Sequence, residues 1–126
     1  MKDAFFVNLS NHHSTKWNKG QLDAANLLGD IVDIPFPVVD EEADESQIQT
    51  LVHEYLQKIH LETEGCSQAK VTIHIMGEMT FTYAMVKALQ NEGYTCVAST
   101  TKRIVEEHGD GTKTVKFEFC RFRRYE

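Results

Sequence analysis

Short runs of almost continuous apolar residues alternate along this chain with longer runs whose apolar positions return every three or four residues. "AFFVNLS" (4–10) is short, apolar and β-rich, which predicts a first strand. After the polar loop "NHHSTKW", the run "NKGQLDAANLLG" reads as a helix. Asn18 and Gln21 have capping-box spacing, Leu22, Ala25 and Leu28 share one face, and Gly29 suits the C-terminal turn. "DIVDIPF" (30–36) predicts a second strand, which Pro35 and Pro37 require to be short or to lie at an edge, because proline donates nothing to a ladder.

The acidic loop "DEEADE" (40–45) reads as a solvated run leading into a helix N-terminus. Ser46 and Gln49 repeat the capping spacing, and Ile48, Leu51, Val52, Tyr55, Leu56 and Ile59 form one helical stripe. "KVTIHIMG" (70–77) predicts a third strand. Phe81, Ala84, Met85, Ala88 and Leu89 then follow the spacing of a helix packed on a sheet, closed by Gly93. "TCVAST" (95–100) predicts a fourth strand. Beyond it, Gly109, Asp110 and Gly111 separate two alternating runs, a hairpin signal.

Strands alternating with helices imply right-handed βαβ units. The expected fold class is therefore α/β: a Rossmann-like three-layer fold with a mainly parallel central sheet, three helices and a C-terminal β-hairpin. At 126 residues the chain reads as a single domain over 1–126, long enough to bury a core without disulfides or metals.

Composition narrows the function classes. No run approaches a membrane span, and the N-terminus lacks the apolar length and cleavage site of a signal peptide. Cys66, Cys96 and Cys120 are odd in number and free of CxxC spacing, which fits a reducing cytoplasm. The net charge of −6 disfavours long nucleic acid as a partner. Charge is uneven, with a balance of −8 over residues 1–99 and +2 over 100–126, so a small anionic ligand could be held by a few local donors.

In sheets of this kind ligands sit beyond the C-terminal ends of the strands, where strand order reverses. With the first strand central, the crevice lies between "SNHHSTKW" and "GEMT", with "TTKR" beside them. Gly77 allows a tight turn and close approach of a ligand, Thr80 could cap the helix, and the amides near 79–82 would form an anion site. The sequence is neither GxGxxG nor a Walker loop, which disfavours dinucleotide and P-loop chemistry. Glu78 would repel a phosphate. It reads either as an acid satisfying its own helix start or as an acceptor for a ribose hydroxyl or exocyclic amine.

His12 and His13 read as acid–base or phosphate-contacting groups or as ordinary loop polars, and no spacing supplies the further ligands of a metal site. Trp17 could stack on a base or simply pack. Thr100, Thr101, Lys102 and Arg103 could clamp a phosphodiester or form a solvated turn. His74 alternates with Ile73 and Ile75 and reads as a satisfied core histidine on the opposite sheet face. Arg121, Arg123 and Arg124 read as solubility or subunit-contact residues.

A central strand ending in "NLSNH", a strand ending in "MGEMT" before an aromatic-led helix, and "CVASTTKR" together resemble the small stand-alone CRISPR-associated Rossmann-fold proteins, the CARF-like ring nucleases and sensors. The likeness covers about residues 70–103 and is looser at the N-terminus, where "SNHHSTKW" departs from the family's shorter, hydroxyl-rich loop. It implies a homodimer that binds a cyclic oligoadenylate across its two-fold axis and, in enzymatic members, cuts the ring without a cofactor or metal by attack of the ligand's own 2′-hydroxyl. On that resemblance the backbone of Gly77, Met79 and Thr80 cradles a phosphate and Glu78 contacts ribose or adenine. Trp17, Thr100 and Thr101 line the ligand, and Ser10 and Asn11 position the 2′-hydroxyl or a phosphate oxygen. His12 or His13 moves a proton, and Lys102 with Arg103 neutralises the transition state. Two other readings stand beside it: a sensor or sponge that binds without cutting, and a protein-interaction subunit with no nucleotide ligand.

Overall fold

The computed structural model describes residues 3–126. Its sheet has five strands: β1 (Phe5–Ser10), β2 (Asp30–Pro35), β3 (Val71–Met76), β4 (Thr95–Glu107) and β5 (Lys113–Arg124). They lie in the order β2-β1-β3-β4-β5, with the first four parallel and β5 antiparallel to β4. Three helices connect them: α1 (Lys19–Leu28), α2 (Glu45–Glu62) and α3 (Met79–Asn91). This is the expected Rossmann-like α/β arrangement with a C-terminal hairpin. Among the described residues no helix is long and apolar enough to cross a membrane.

The two faces of the sheet are covered unequally. Odd-numbered positions of β1 and β3 (Phe5, Val7, Leu9, Ile73, Ile75) join Val52, Leu56 and Ile59 of α2 and Phe81, Met85 and Leu89 of α3 in the main core. The apolar cluster on the other face is small: Phe6, Ala25 and Val97 are buried there, flanked by Trp17, Ile31 and Phe122. The expected apolar face of α1 is correspondingly thin: Ala25 is buried, Leu22 is half-buried and Leu28 is 42% exposed. A short, weakly apolar helix on this side leaves the sheet's C-terminal end uncovered there.

Helix starts depart from two expectations. The cap of α2 is Asp44, not Ser46: its carboxylate accepts from the Gln47 amide at 2.9 Å while the Gln47 side chain accepts from the Asp44 amide at 2.8 Å. An acid closes this reciprocal box while also facing the positive end of the helix. Likewise Glu78, rather than Thr80, caps α3. Asn18 caps α1 as its spacing predicts, accepting from the Gln21 amide.

The largest departure is β4, expected to end at Thr100 but continuing to Glu107. Its partner β5 supplies ladder bonds along the whole hairpin, with one irregularity between Thr100 and Thr101. Residues 101–103 therefore lie inside a strand and not in a strand-end loop. The proline expectation holds in both respects, since β2 is six residues long and lies at the sheet edge.

Candidate functional site

Strand β1 lies inside the sheet between β2 and β3, and the chain turns in opposite directions after β1 and β3. A crevice of about 640 Å³ opens at that point, within the size range of small-molecule sites. The loop after β1 contributes Ser10, Asn11, His12, Lys16 and Trp17, and the start of α1 contributes Asn18 and Gln21. The end of β3 adds His74, Met76 and Gly77, and the hairpin adds Ser99, Thr101 and Phe117. Three chain segments far apart in sequence thus meet at one mouth of the sheet. A smaller cavity of about 200 Å³ shares Ser10 and Asn11 and contains His13 and Asp33.

A buried polar row forms the floor between these cavities. Asp33, Asn8 and His74 sit side by side on β2, β1 and β3, Asn8 being the register partner of both others. Asn8 Nδ2 donates to Asp33 Oδ1 at 2.8 Å and to the His12 carbonyl at 2.8 Å. Two acceptors on that side fix the orientation of the amide, so Asn8 Oδ1 faces Ser10 Oγ at 2.8 Å and His74 Nδ1 at 2.9 Å. Because Oδ1 can only accept, Nδ1 of His74 carries the proton and Nε2 bears a lone pair.

That lone pair has no protein donor, one of two such buried side-chain polar atoms among the described residues; Thr82 Oγ1 is the other. The expectation of a satisfied core histidine is corrected here: His74 is 2% exposed and only half satisfied. Its ring stacks on Phe6 at 6.0 Å and stands edge-on to Trp17 and Phe122, each at 5.4 Å. This burial pushes the imidazole down to about 4, so it is neutral at physiological pH. An orphaned buried acceptor costs about 1–3 kcal/mol unless a water or a bound group meets it.

Asp33 is the anchor of the row. Partial burial alone would raise its pKa. Hydrogen bonds from Ser14 Oγ, Asn8 Nδ2 and the Ser14 amide, together with the nearby His13, outweigh that and hold the carboxyl below its usual range. His13 caps the turn over Ser14–Lys16 through Nδ1, which accepts from the Thr15 amide, and places Nε2 3.4 Å from Asp33 Oδ2. The adjacent histidines therefore divide, His12 facing the large crevice and His13 the small cavity.

Other expected site residues are placed differently. The Glu78 carboxylate accepts from the Phe81 amide at 2.7 Å and from Thr80 Oγ1 at 2.8 Å. Those bonds hold its pKa below the usual value, and the acid occupies the end of α3 where a phosphate cradle was expected. Gly77 is at the crevice, but a Cβ there would overlap the Phe36 ring, which packs edge-on against Phe81 at 5.3 Å; the missing side chain makes room for Phe36. Met79 is 83% exposed and lines a separate cavity beside Tyr83 and Tyr125.

On the hairpin, Thr100 Oγ1 donates to the Arg121 carbonyl. Thr101 lines the crevice; Lys102, the next residue of the strand and register partner of Glu118, projects from the opposite face. Arg103 shares the Thr101 side and pairs with Phe117 of the crevice wall. Lys16, Ser99 and Phe117 join the site without having stood out in sequence. Among the described residues no group of three or more His, Cys, Asp or Glu is placed to hold a metal ion.

The profile of the Uncharacterized protein MJ1673 family matches residues 4–123, spanning every element that builds the crevice. The chain belongs to that family. No curated protein and no solved structure matches it. In this member of the MJ1673 family the crevice offers a neutral buried imidazole and the exposed one of His12, amides and hydroxyls, one lysine, and aromatic rings at the rim. Such a set positions and polarises a ligand rather than supplying a nucleophile of its own.

Proposed function

We propose that this protein is a homodimeric ring nuclease that binds a cyclic oligoadenylate, cyclic tetra-adenylate in the first instance, and opens it by metal-independent attack of a ligand 2′-hydroxyl. The observation that carries the reading is the convergence of residues 10–12, Gly77 and Thr101 on one crevice at the switch point of the sheet. Trp17 and Phe117 offer faces for a base. Lys16 and the first amides of α1, which have no intrahelical acceptor, suit a phosphate. Asn11 positions the attacking hydroxyl, and His12 delivers a proton to the leaving 5′-oxygen. The new P–O2′ bond forms as the P–O5′ bond breaks, the 2′-hydroxyl proton passing to solvent water, and a linear product is left with a 2′,3′-cyclic phosphate at one end and a 5′-hydroxyl at the other. The setting would be the shut-off of CRISPR-associated antiviral signalling.

A sensor or sponge is the second reading, favoured by one placement: Lys102 lies on the far face of β4, which removes a cation expected to neutralise the reacting phosphate. Incubation of the purified protein with labelled cyclic tetra-adenylate in EDTA separates the two. Linear products support the nuclease, and intact ring retained on the protein supports the sensor. Absence of binding to any cyclic oligoadenylate removes both.

A further inference from the structure

His74 lines a ligand-sized crevice, and its Nε2 lone pair is an acceptor with a fixed tautomer, shielded from solvent and supplied with no donor by the protein. What reaches it must bring an N–H or O–H. The surroundings choose between these. Phe6, Trp17 and Phe122 frame the ring, and Phe117 lines the same crevice. Trp17 and Phe117 offer the crevice aromatic faces on which a base can stack, which suits a nucleobase better than a ribose with its adjoining phosphates. Of the three rings that touch His74, Trp17 is the one that also lines the crevice, half-buried between the turn over Ser14–Lys16 and α1.

Resting on the reading given under Proposed function, we propose that His74 reads the base: its Nε2 accepts a hydrogen bond from the exocyclic N6 amine of one adenine of the bound ring, which enters against Trp17. The polar row exists to hold that acceptor. Asp33 orients the Asn8 amide, and Asn8 Oδ1 holds the proton on Nδ1 and so the lone pair on Nε2. A base bearing a carbonyl at the same position would set acceptor against acceptor and be rejected.

The test compares cyclic tetra-adenylate with cyclic tetra-inosinate, in which a carbonyl replaces each N6 amine, by calorimetry and by the fluorescence of the chain's single tryptophan. The wild type should bind the adenylate ring at least tenfold more tightly. His74→Phe should weaken adenylate binding and abolish the preference. Equal binding of both rings by the wild type overturns the role of His74 while leaving nucleotide binding intact, whereas binding of neither ring removes the function and this inference together. Because His74→Phe could perturb folding, the wild type labelled with 15N-histidine supplies a second measurement. The His74 Nε2 resonance should move on adding the adenylate ring and stay in place on adding the inosinate ring. A resonance unmoved with the adenylate ring bound overturns the proposal.

Discussion

Asn8 Oδ1 lies 2.9 Å from His74 Nδ1, and that one contact decides which nitrogen of a buried imidazole carries its proton. The decision is made further off, at Asp33, because the Asn8 amide cannot turn without setting its oxygen against a carboxylate and the His12 carbonyl. Replacing Asn8 by Ala should leave His74 Nδ1 without its acceptor and take one hydrogen bond each from Asp33 and Ser10. The expected loss is about 3 kcal/mol, large for one side chain because a buried network is broken. Urea unfolding reads it, and Asn8→Ala with Asp33→Ala should be less than additive.

Acid should weaken the fold through His74. Its imidazole is pushed by burial from an ordinary 6.5 to about 4, so between those values the unfolded chain binds the proton more readily. The stabilisation belonging to the neutral ring is complete above pH 6.5, declines as pH falls, and is fully lost below about 4. The whole contribution is about 3 kcal/mol. Unfolding free energies measured from pH 7 to 4 should show this slope in the wild type and a flatter one in His74→Gln.

Much of the fold was legible because its signals are local. The alternation of strand and helix periods gave the order of elements, and Pro35 marked an edge strand. The corrections arise where a signal is not local. The extension of β4 depends on β5, which pairs with it from across the hairpin, so "TTKR" looked like a loop. The role of Gly77 depends on Phe36, distant in sequence. The polar row was the most readable feature left unread. "FFVNLS", "DIVDIP" and "VTIHIM" each carry a polar residue at the fourth position, and equal register places Asn8, Asp33 and His74 side by side. Taken singly, each looks like an interruption of an apolar strand. Only the pairing of the strands makes them one site.

Gly77 offers a test that separates packing from ligand approach. A methyl group there would overlap the Phe36 ring, and overpacking of this kind costs about 1–3 kcal/mol. Gly77→Ala should therefore lower stability, and Phe36→Leu in the same chain should recover part of the loss. Thermal unfolding of the two single variants and the double variant provides the comparison. A glycine required only for close approach of a ligand would give no such recovery.

Glu78 should behave as a helix cap and nothing more. Its carboxylate accepts from the Phe81 amide and Thr80 Oγ1, and it does not line the crevice. Glu78→Ala should cost about 1 kcal/mol, with Glu78→Asp restoring most of it. Affinity for cyclic tetra-adenylate should stay within twofold of the wild type, on the order of the scatter expected for a residue outside the contact set. A large affinity loss without a stability loss would return Glu78 to the ligand.

The cations divide by face. Lys16 lines the crevice, whereas Lys102 projects from the opposite side of β4 from Thr101. A single charge-assisted contact to a phosphate at an exposed rim is worth about 1–1.4 kcal/mol, or roughly five- to tenfold in affinity. Lys16→Ala should weaken ring binding by about that factor. The deficit should shrink as salt is raised, because exposed charges are screened. Lys102→Ala should leave affinity and its salt dependence unchanged. Titrations of the three proteins with cyclic tetra-adenylate at two salt concentrations measure both effects, and the reverse ranking would place the phosphate on the other face of the hairpin.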